Sequence, residues 1–335
     1  MLNQNLNYYK NKKILVTGAT GFIGFSLIKK LSAVSCSIIA IKEKKFIYEK
    51  IPNCKANVLV KDFDITDKDF WKESLEGIDI VFHFAAQTSL RVATNNPLLD
   101  IEINVLPIVN FIETCQKYKF APDILFSGTV TEVGMTSTIP VDENFKDLPI
   151  TVYDINKLAA EKYLQYYSNQ LGHRAVILRL SNVYGPGPIS SSVDRGILNM
   201  MVRKAINNED LVVYGDGNYI RDYVYIDDVI SAFLMAGAKI DIAKGNYYIV
   251  GTGIGYTIIQ MAELVVDRVY RKTGIKVNIK KIDLPNNLSQ IETRNFVANV
   301  DKIKRDIKWH AEVQLEDGID KTIDFFIQLR DRQNV

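Results

Sequence analysis

The chain has 335 residues, 47% of them apolar, enough to bury one large core and a smaller lobe. Lys and Arg number 41 against 39 acids, and this balance argues against a nucleic-acid or membrane surface. Cys36, Cys54 and Cys115 are scattered outside any CxxC or His-rich setting, which argues against disulfides and a metal site and for a reducing, cytoplasmic location.

The opening MLNQNLNYYKNKK has no signal-peptide core, and no apolar run approaches the ~18 residues of a membrane span. Residues 1–10 read as a flexible arm. From Lys13 onward strand-like runs alternate with helical patterns, as βαβ units do. Strands are predicted over 13–17, 36–42, 58–61, 79–85, 124–126 and 175–180, with helices over 22–33, 66–76, 98–118 and 153–171. Pro107 implies a kink or a helix start, and Gly172 a helix stop. After Leu180 the pattern breaks into YGPGP and shorter mixed elements. The reading is α/β: a Rossmann doubly wound parallel sheet over 11–181, then a smaller mixed α/β substrate lobe over 182–335, some of whose segments return to the sheet. Gly251, Gly253 and Gly255 in GTGIG follow a strand-like run, but no second βαβ unit or acidic ribose partner accompanies them, so they read as a turn.

TGATGFIG, Thr17 to Gly24, directly follows Ile14, Leu15 and Val16 and opens a helical pattern through Ile23, Leu27, Ile28 and Leu31. Strand, glycine turn and helix start together make a dinucleotide site. Gly18 lets the chain turn, Gly21 lets backbone N–H groups approach a pyrophosphate at the positive helix end, and Gly24 lets helix and strand pack closely.

Tyr153 and Lys157 are spaced i, i+4 on a predicted helix, on a face read as also carrying Ile155, Ala159 and Tyr163. A free phenol near pKa ~10 is a poor base at neutral pH, and an adjacent ammonium makes its phenolate accessible. Tyr8–Lys12 and Tyr9–Lys13 share the spacing but lie in the N-terminal tail. FSGTVTEVG sits at the carboxyl end of the fifth strand, where open α/β sheets bind ligands. Thr129 in that turn is a candidate to hold a reacting oxygen, whereas Ser127 reads as structural.

Seven ordered motifs now stand along nearly the whole chain: TGATGFIG; FDIT at 63–66; VFHFAAQ at 81–87; DIEINV at 100–105; YDINK at 153–157; RLSNVYGPG at 179–187; and GDGNYIRDYVYIDDV at 215–229. Together they resemble the extended short-chain dehydrogenase/reductases of the NAD-dependent epimerase/dehydratase type, which act on nucleotide sugars. The resemblance implies that Gly18, Thr20, Gly21, Phe22, Ile23 and Gly24 hold the dinucleotide, and that Asp64 accepts the adenine amino group beside a backbone contact from Ile65. Ala85, Ala86 and Gln87 would line ribose and pyrophosphate, and Lys157 would contact the nicotinamide ribose. Thr129 would bind the sugar oxygen, Asn182 the substrate diphosphate, and Arg221 would clamp that diphosphate with a bidentate guanidinium. A homodimer is also implied. The plain alternatives are a turn or cap role for Asp64 and a surface ion pair between Arg221 and Asp222.

Three departures from the family pattern bear on function. Where NAD users carry an acid after the second strand, this chain has Lys42 followed by Glu43, Lys44 and Lys45. A cation there suits a 2′-phosphate and favours NADP over NAD; a solvated charge run, with Glu43 reaching the ribose, is the alternative. An arginine of the epimerases aligns with Ser289, and Arg294 is the candidate to compensate. Thr129-Val130-Thr131 replaces the Thr-Asp-Glu of the 4,6-dehydratases, and Glu132 stands one place late, so dehydration lacks its acid and base. The expected activity is a nucleotide-sugar oxidoreductase in which Tyr153 exchanges a proton with a sugar oxygen at C4. The cation at 42 favours an NADPH-dependent 4-keto sugar reductase over an NAD-retaining 4-epimerase. A catalytically silent NADP-binding scaffold is opposed by the presence of Tyr153 and Lys157. Nucleobase and sugar depend on loops near 188–196 and 211–219.

Overall fold

Runs of Ile, Leu and Val without a polar face need cover on both sides, and in the computed structural model, which describes residues 6–42, 51, 53–67, 69–188, 196–285 and 288–333, they form the central sheet. Its first six strands in chain order are β1 (Lys13–Thr17), β2 (Ser37–Lys42), β3 (Asn57–Asp62), β4 (Ile80–His83), β5 (Asp123–Thr129) and β6 (Ala175–Leu180). Three strands of the second lobe follow, β7 (Asn182–Tyr184), β8 (Leu211–Tyr214) and β9 (Ile220–Tyr225), before β10 (Tyr247–Val250) returns to the sheet. The spatial order is β10-β6-β5-β4-β1-β2-β3, with every pairing parallel. The chain winds outward from β1 through β2 to β3, then restarts at β4 on the other side of β1. That reversal opens a crevice beyond the carboxyl ends of β1 and β4.

Several predicted boundaries shift for identifiable reasons. The stretch 98–118 is two helices, Pro97–Asn104 and Leu106–Tyr118, and Pro107 lies in the first turn of the second, where a missing N–H breaks no helical bond. The 66–76 helix contracts to Phe70–Ser74 because Asp64 and Thr66 close a turn ahead of it. Strand β5 extends three residues beyond the predicted Phe126, carrying Thr129 to the sheet edge. The helix Val152–Leu171 ends at Gly172, whose φ of +75° is left-handed.

In the second lobe β9 pairs with β7 in parallel and with β11 (Gly255–Thr257) antiparallel, while β8 pairs with β12 (Ile279–Ile282). GTGIG is the connection from β10 into β11, a turn as read from the sequence.

The flexible-arm reading does not hold for residues 6–10; residues 1–5 lie outside the described residues. Leu6 and Tyr9 are buried, and the Tyr9 hydroxyl donates to the Leu234 carbonyl at 2.8 Å. Gly237 makes room for it, since a Cβ there would come within 2.3 Å of the Tyr9 oxygen. The polar run around Tyr9 hid an aromatic that packs against Phe82 on β4, with ring centroids 6.1 Å apart. Tyr9→Ala is therefore expected to cost about 3–5 kcal/mol in urea unfolding, as for other large-to-small core changes. A change within about 0.5 kcal/mol would return the segment to the surface.

Candidate active site

The glycine turn is shaped by contact with backbone. Gly18 has φ +66°, and a Cβ on it would lie 2.7 Å from the Ala85 nitrogen. A Cβ on Gly24 would lie 2.3 Å from the Gly18 carbonyl oxygen, so the helix Phe22–Leu31 starts almost on the turn itself. Gly21 is the exposed N-cap of that helix, flanked by half-buried Thr20, Phe22 and Ile23. Exposed backbone N–H groups at a helix N-terminus, with no Cβ in the approach, fit a dinucleotide pyrophosphate. Phe22 also closes against the loop after β7, because a Cβ on Gly187 would come within 2.4 Å of its ring.

Around this turn the other cofactor candidates separate. Lys42, at the end of β2, is ion-paired with Asp62 at the end of β3. Glu43, Lys44 and Lys45 lie outside the described residues. Asp64 is exposed and accepts from the Thr66 backbone N–H at 2.9 Å and hydroxyl at 2.8 Å, a turn-forming role. The Ile65 side chain is in the core. Ala85 donates its N–H to the Thr17 hydroxyl at 3.2 Å, and Ala86 follows it half-buried in the same loop. The Gln87 side-chain amide is engaged by Asp100 at 2.7 Å and by the Ser89 carbonyl at 2.9 Å.

Tyr153 and Lys157 are both buried on the inner side of their helix. Ile155 and Tyr163 are on the outside and exposed, correcting the shared face read from the sequence: at ~100° per residue Ile155 stands ~200° from Tyr153, and Tyr163 ~80° from Tyr153 and ~120° from Lys157. The Lys157 ammonium sits over the Phe126 ring, 3.8 Å from its centroid. Between them on the helix, Asn156 donates to Asp100 at 2.7 Å, and Asn104 brackets the Gln87 backbone at 3.0 and 3.1 Å. This brace of Asp100, Asn104 and Asn156 was missed by sequence reasoning, although DIEINV and YDINK contain all three residues.

Thr129 ends β5 and caps the short helical turn Val130–Val133. Its hydroxyl is 2.8 Å from that of Thr131, which in turn donates to Asp154. Asp154 also accepts from the Thr151 hydroxyl at 2.6 Å at the start of the Tyr153 helix. A chain of side chains thus ties Thr129 to the residue next to Tyr153. Glu132 points the other way: it is fully buried, accepts the Thr129 N–H at 2.9 Å, and lies 2.9 Å from Arg179 Nε.

On the second lobe, Asn182 is in register with Tyr223. Arg221 is buried rather than superficial; its guanidinium donates to the carbonyls of Ile220 at 3.1 Å, Glu292 at 2.7 Å and Arg294. Arg294 is also buried and donates to the Ile291 carbonyl at 2.9 Å. Asp222 is no surface partner of Arg221, because its carboxylate collects the N–H groups of Thr252, Gly253 and Ala298.

His83, a residue without a role in the sequence reading, lies fully buried beneath this site. Its Nδ1 is 2.9 Å from the Thr17 hydroxyl, and its ring stacks on Phe126. Burial, and then the Lys157 charge, push its pKa down from 6.5 to about 3. Below about pH 6.5 the unfolded chain therefore binds a proton that the folded one refuses, and stability falls as pH drops towards 3. In His83→Gln the acid slope of the unfolding free energy should be shallower by up to ~1.4 kcal/mol per pH unit. Urea titrations between pH 4 and 7 measure this, and an unchanged slope would show that His83 exchanges protons freely in the fold.

The profile of the NAD dependent epimerase/dehydratase family matches residues 14–251. A putative UDP-glucose 4-epimerase of Methanocaldococcus jannaschii is 30% identical over 314 residues, covering 93% of this chain and 97% of its own. The UDP-glucose 4-epimerase of Thermotoga maritima, solved with UDP-glucose, superposes with a TM-score of 0.84 at 28% identity, covering 95% of this chain and 99% of its own. The UDP-glucose 4-epimerase of Thermus thermophilus, solved with NAD, gives a TM-score of 0.78 at 27% identity, with coverage of 94% and 99%. With its Rossmann sheet, its glycine turn and these relatives, the chain belongs to the NAD-dependent epimerase/dehydratase family of nucleotide-sugar enzymes.

Proposed function

We propose that this protein is a nucleotide-sugar 4-epimerase that retains NAD, with residues 11–181 as its cofactor domain and 182–335 mainly as its substrate lobe. The observation that carries the reading is the bridge from Thr129 through Thr131 to Asp154, which assembles the Thr129 hydroxyl with the Tyr153 helix at the carboxyl edge of the sheet. The Lys42–Asp62 ion pair supports NAD over NADP, since a neutralised cation has little to offer a 2′-phosphate. The reductase reading rested on that cation. The named relatives support the same choice.

The dinucleotide would rest on Gly18, Thr20, Gly21, Phe22, Ile23 and Gly24, with Asp64 and Ile65 at the adenine and Ala85, Ala86, Gln87 and Lys157 along the ribose side. NAD bound there supplies the hydride acceptor and donor at C4. Tyr153 takes the proton of the C4 hydroxyl at its own oxygen and later returns it, and the Lys157 charge favours the phenolate. Thr129 holds the reacting oxygen by a hydrogen bond. Asn182, Arg221 and Arg294 form the diphosphate side. Glu132 is held in the core, which leaves Thr129 without the neighbouring acid that dehydration needs. The unbridged thiols Cys36, Cys54 and Cys115 suit a cytoplasmic location. Among the described residues no helix is long and apolar enough to cross a membrane.

The deciding experiment is to release the cofactor from purified protein and to follow interconversion of UDP-glucose and UDP-galactose. Retained NAD and epimerisation, lost ~10²–10⁴-fold in Tyr153→Phe, are the expected results. Cofactor-free protein that binds NADPH would favour the 4-keto reductase, and Tyr153→Phe turnover within threefold of wild type would remove Tyr153 from the mechanism.

A two-fold dimer belongs to the same proposal. The helices 106–118 and 152–171 lie side by side and leave Leu106, Ile155, Tyr163 and Tyr166 exposed, a surface that a second copy would cover. Sedimentation should find a dimer that Tyr166→Glu shifts to monomer; a monomeric wild type would overturn this.

A further inference from the structure

We propose that Glu132 is a positioning residue for the reaction: buried behind the substrate face, it sets the turn that presents the Thr129 hydroxyl. The inference rests on the reading of Thr129 as the group that binds the reacting oxygen.

Glu132 closes a reciprocal cap with Thr129, its Oε1 accepting the Thr129 N–H at 2.9 Å while the Thr129 hydroxyl accepts from the turn at Thr131 N, 3.3 Å. Nothing in a four-residue turn requires a buried acid, and an alanine or valine would sit in this core without desolvating a charge. The acid is there because Arg179 is. The guanidinium, fully buried on β6, donates from Nε to Glu161 at 2.8 Å and from Nη1 to Asp147 at 2.6 Å, with Glu132 Oε2 2.9 Å from the same Nε. Glu161 follows Tyr153 and Lys157 at i+8 and i+4 on one helical face. Arg179 therefore joins the Thr129 turn, through Glu132, to the Tyr153 helix, through Glu161.

The charges at this junction are three carboxylates, from Glu132, Glu161 and Asp147, against Arg179 and the half-exposed Lys162, which is 3.1 Å from Asp147. Tyr247 covers the guanidinium, and Lys302 lies 5.2 Å from that ring. Burial, reinforced by the negative Glu161, pushes the Glu132 carboxyl well above the ordinary range, with Arg179 opposing. In the structure Glu132 Oε1 accepts the Thr129 N–H and Oε2 lies against the Arg179 guanidinium. Glutamine keeps the acceptor for the Thr129 N–H without the charge. Methionine removes that acceptor, yet leaves Arg179 paired with Glu161 and Asp147 so that the fold can persist.

The test compares Glu132→Gln and Glu132→Met with and without Thr129→Val, using UDP-glucose and UDP-N-acetylglucosamine as substrates and deuterium exchange over 129–134 as a second readout. Glu132→Met should lower kcat at least tenfold with KM moving less than threefold, should add nothing in the Thr129→Val background, and should speed exchange in the turn. Glu132→Gln should restore kcat to within threefold and exchange to the native rate. Overturning results are an undiminished kcat in Glu132→Met, losses that multiply with Thr129→Val, unaltered exchange, or a folded Glu132→Gln with a tenfold loss. If Glu132→Met does not fold, the Gln variant decides alone. A wild type that turns over neither sugar nucleotide, or a Thr129→Val variant with full activity, defeats the functional reading instead, and the exchange result still decides whether Glu132 holds the turn.

Discussion

A single guanidinium without solvent contact holds the active-site edge of this molecule together. Arg179 on β6 meets Glu161 on the helix 152–171, Asp147 in the preceding loop and Glu132 in the turn after β5, while Tyr247 on β10 stacks over it at 3.9 Å. Burial works against its charge, but the surrounding acids outweigh that cost and hold its pKa above the usual arginine value. Lysine could not replace it, because a point charge lacks the planar fork that bonds two carboxylates at once. Breaking such a buried pair by deleting one partner typically costs about 3–5 kcal/mol. Glu161 stands two helical turns after Tyr153, so anchoring it fixes the rotation of Tyr153 and Lys157 toward the sheet.

The cofactor edge depends on contact of a different kind. Gly18, Gly24 and Gly187 are places where backbone meets backbone or an aromatic ring at distances no Cβ allows. Their close approach brings the N-terminus of the helix 22–31, the loop after β4 and the loop after β7 to one crevice. The electrostatics of that crevice are set by backbone N–H groups, with Lys157 and the neutral His83 beneath them.

In the second lobe, buried carboxylates serve as braces between distant segments. Asp222 gathers the N–H groups of Thr252, Gly253 and Ala298, and Asp228 those of Glu312 and Val313. Burial raises the pKa of both acids and the donated hydrogen bonds pull it back. The long motif at 215–229 thus does two jobs: its acids fasten the GTGIG turn to β9 and the segment at 312–313 to the start of the helix Ile226–Ala238, and its arginine faces the segment 290–294.

What was legible in the sequence is what neighbouring residues decide among themselves. Strand runs such as KILVT and AVILRL, the glycine turn after β1, the i, i+4 relation of Tyr153 and Lys157, and the stop at Gly172 all follow from steric rules acting over a few residues. What the tertiary structure decided are pairings between distant positions: Lys42 with Asp62, Glu132 with Arg179, Arg221 with the carbonyls of Glu292 and Arg294, and Tyr9 with Leu234. In each, a polar group that looked solvated or unpartnered has a protein partner. A charge or hydroxyl has no preferred partner along the chain; its partner is whichever group the packed core places within hydrogen-bond reach once water has been excluded.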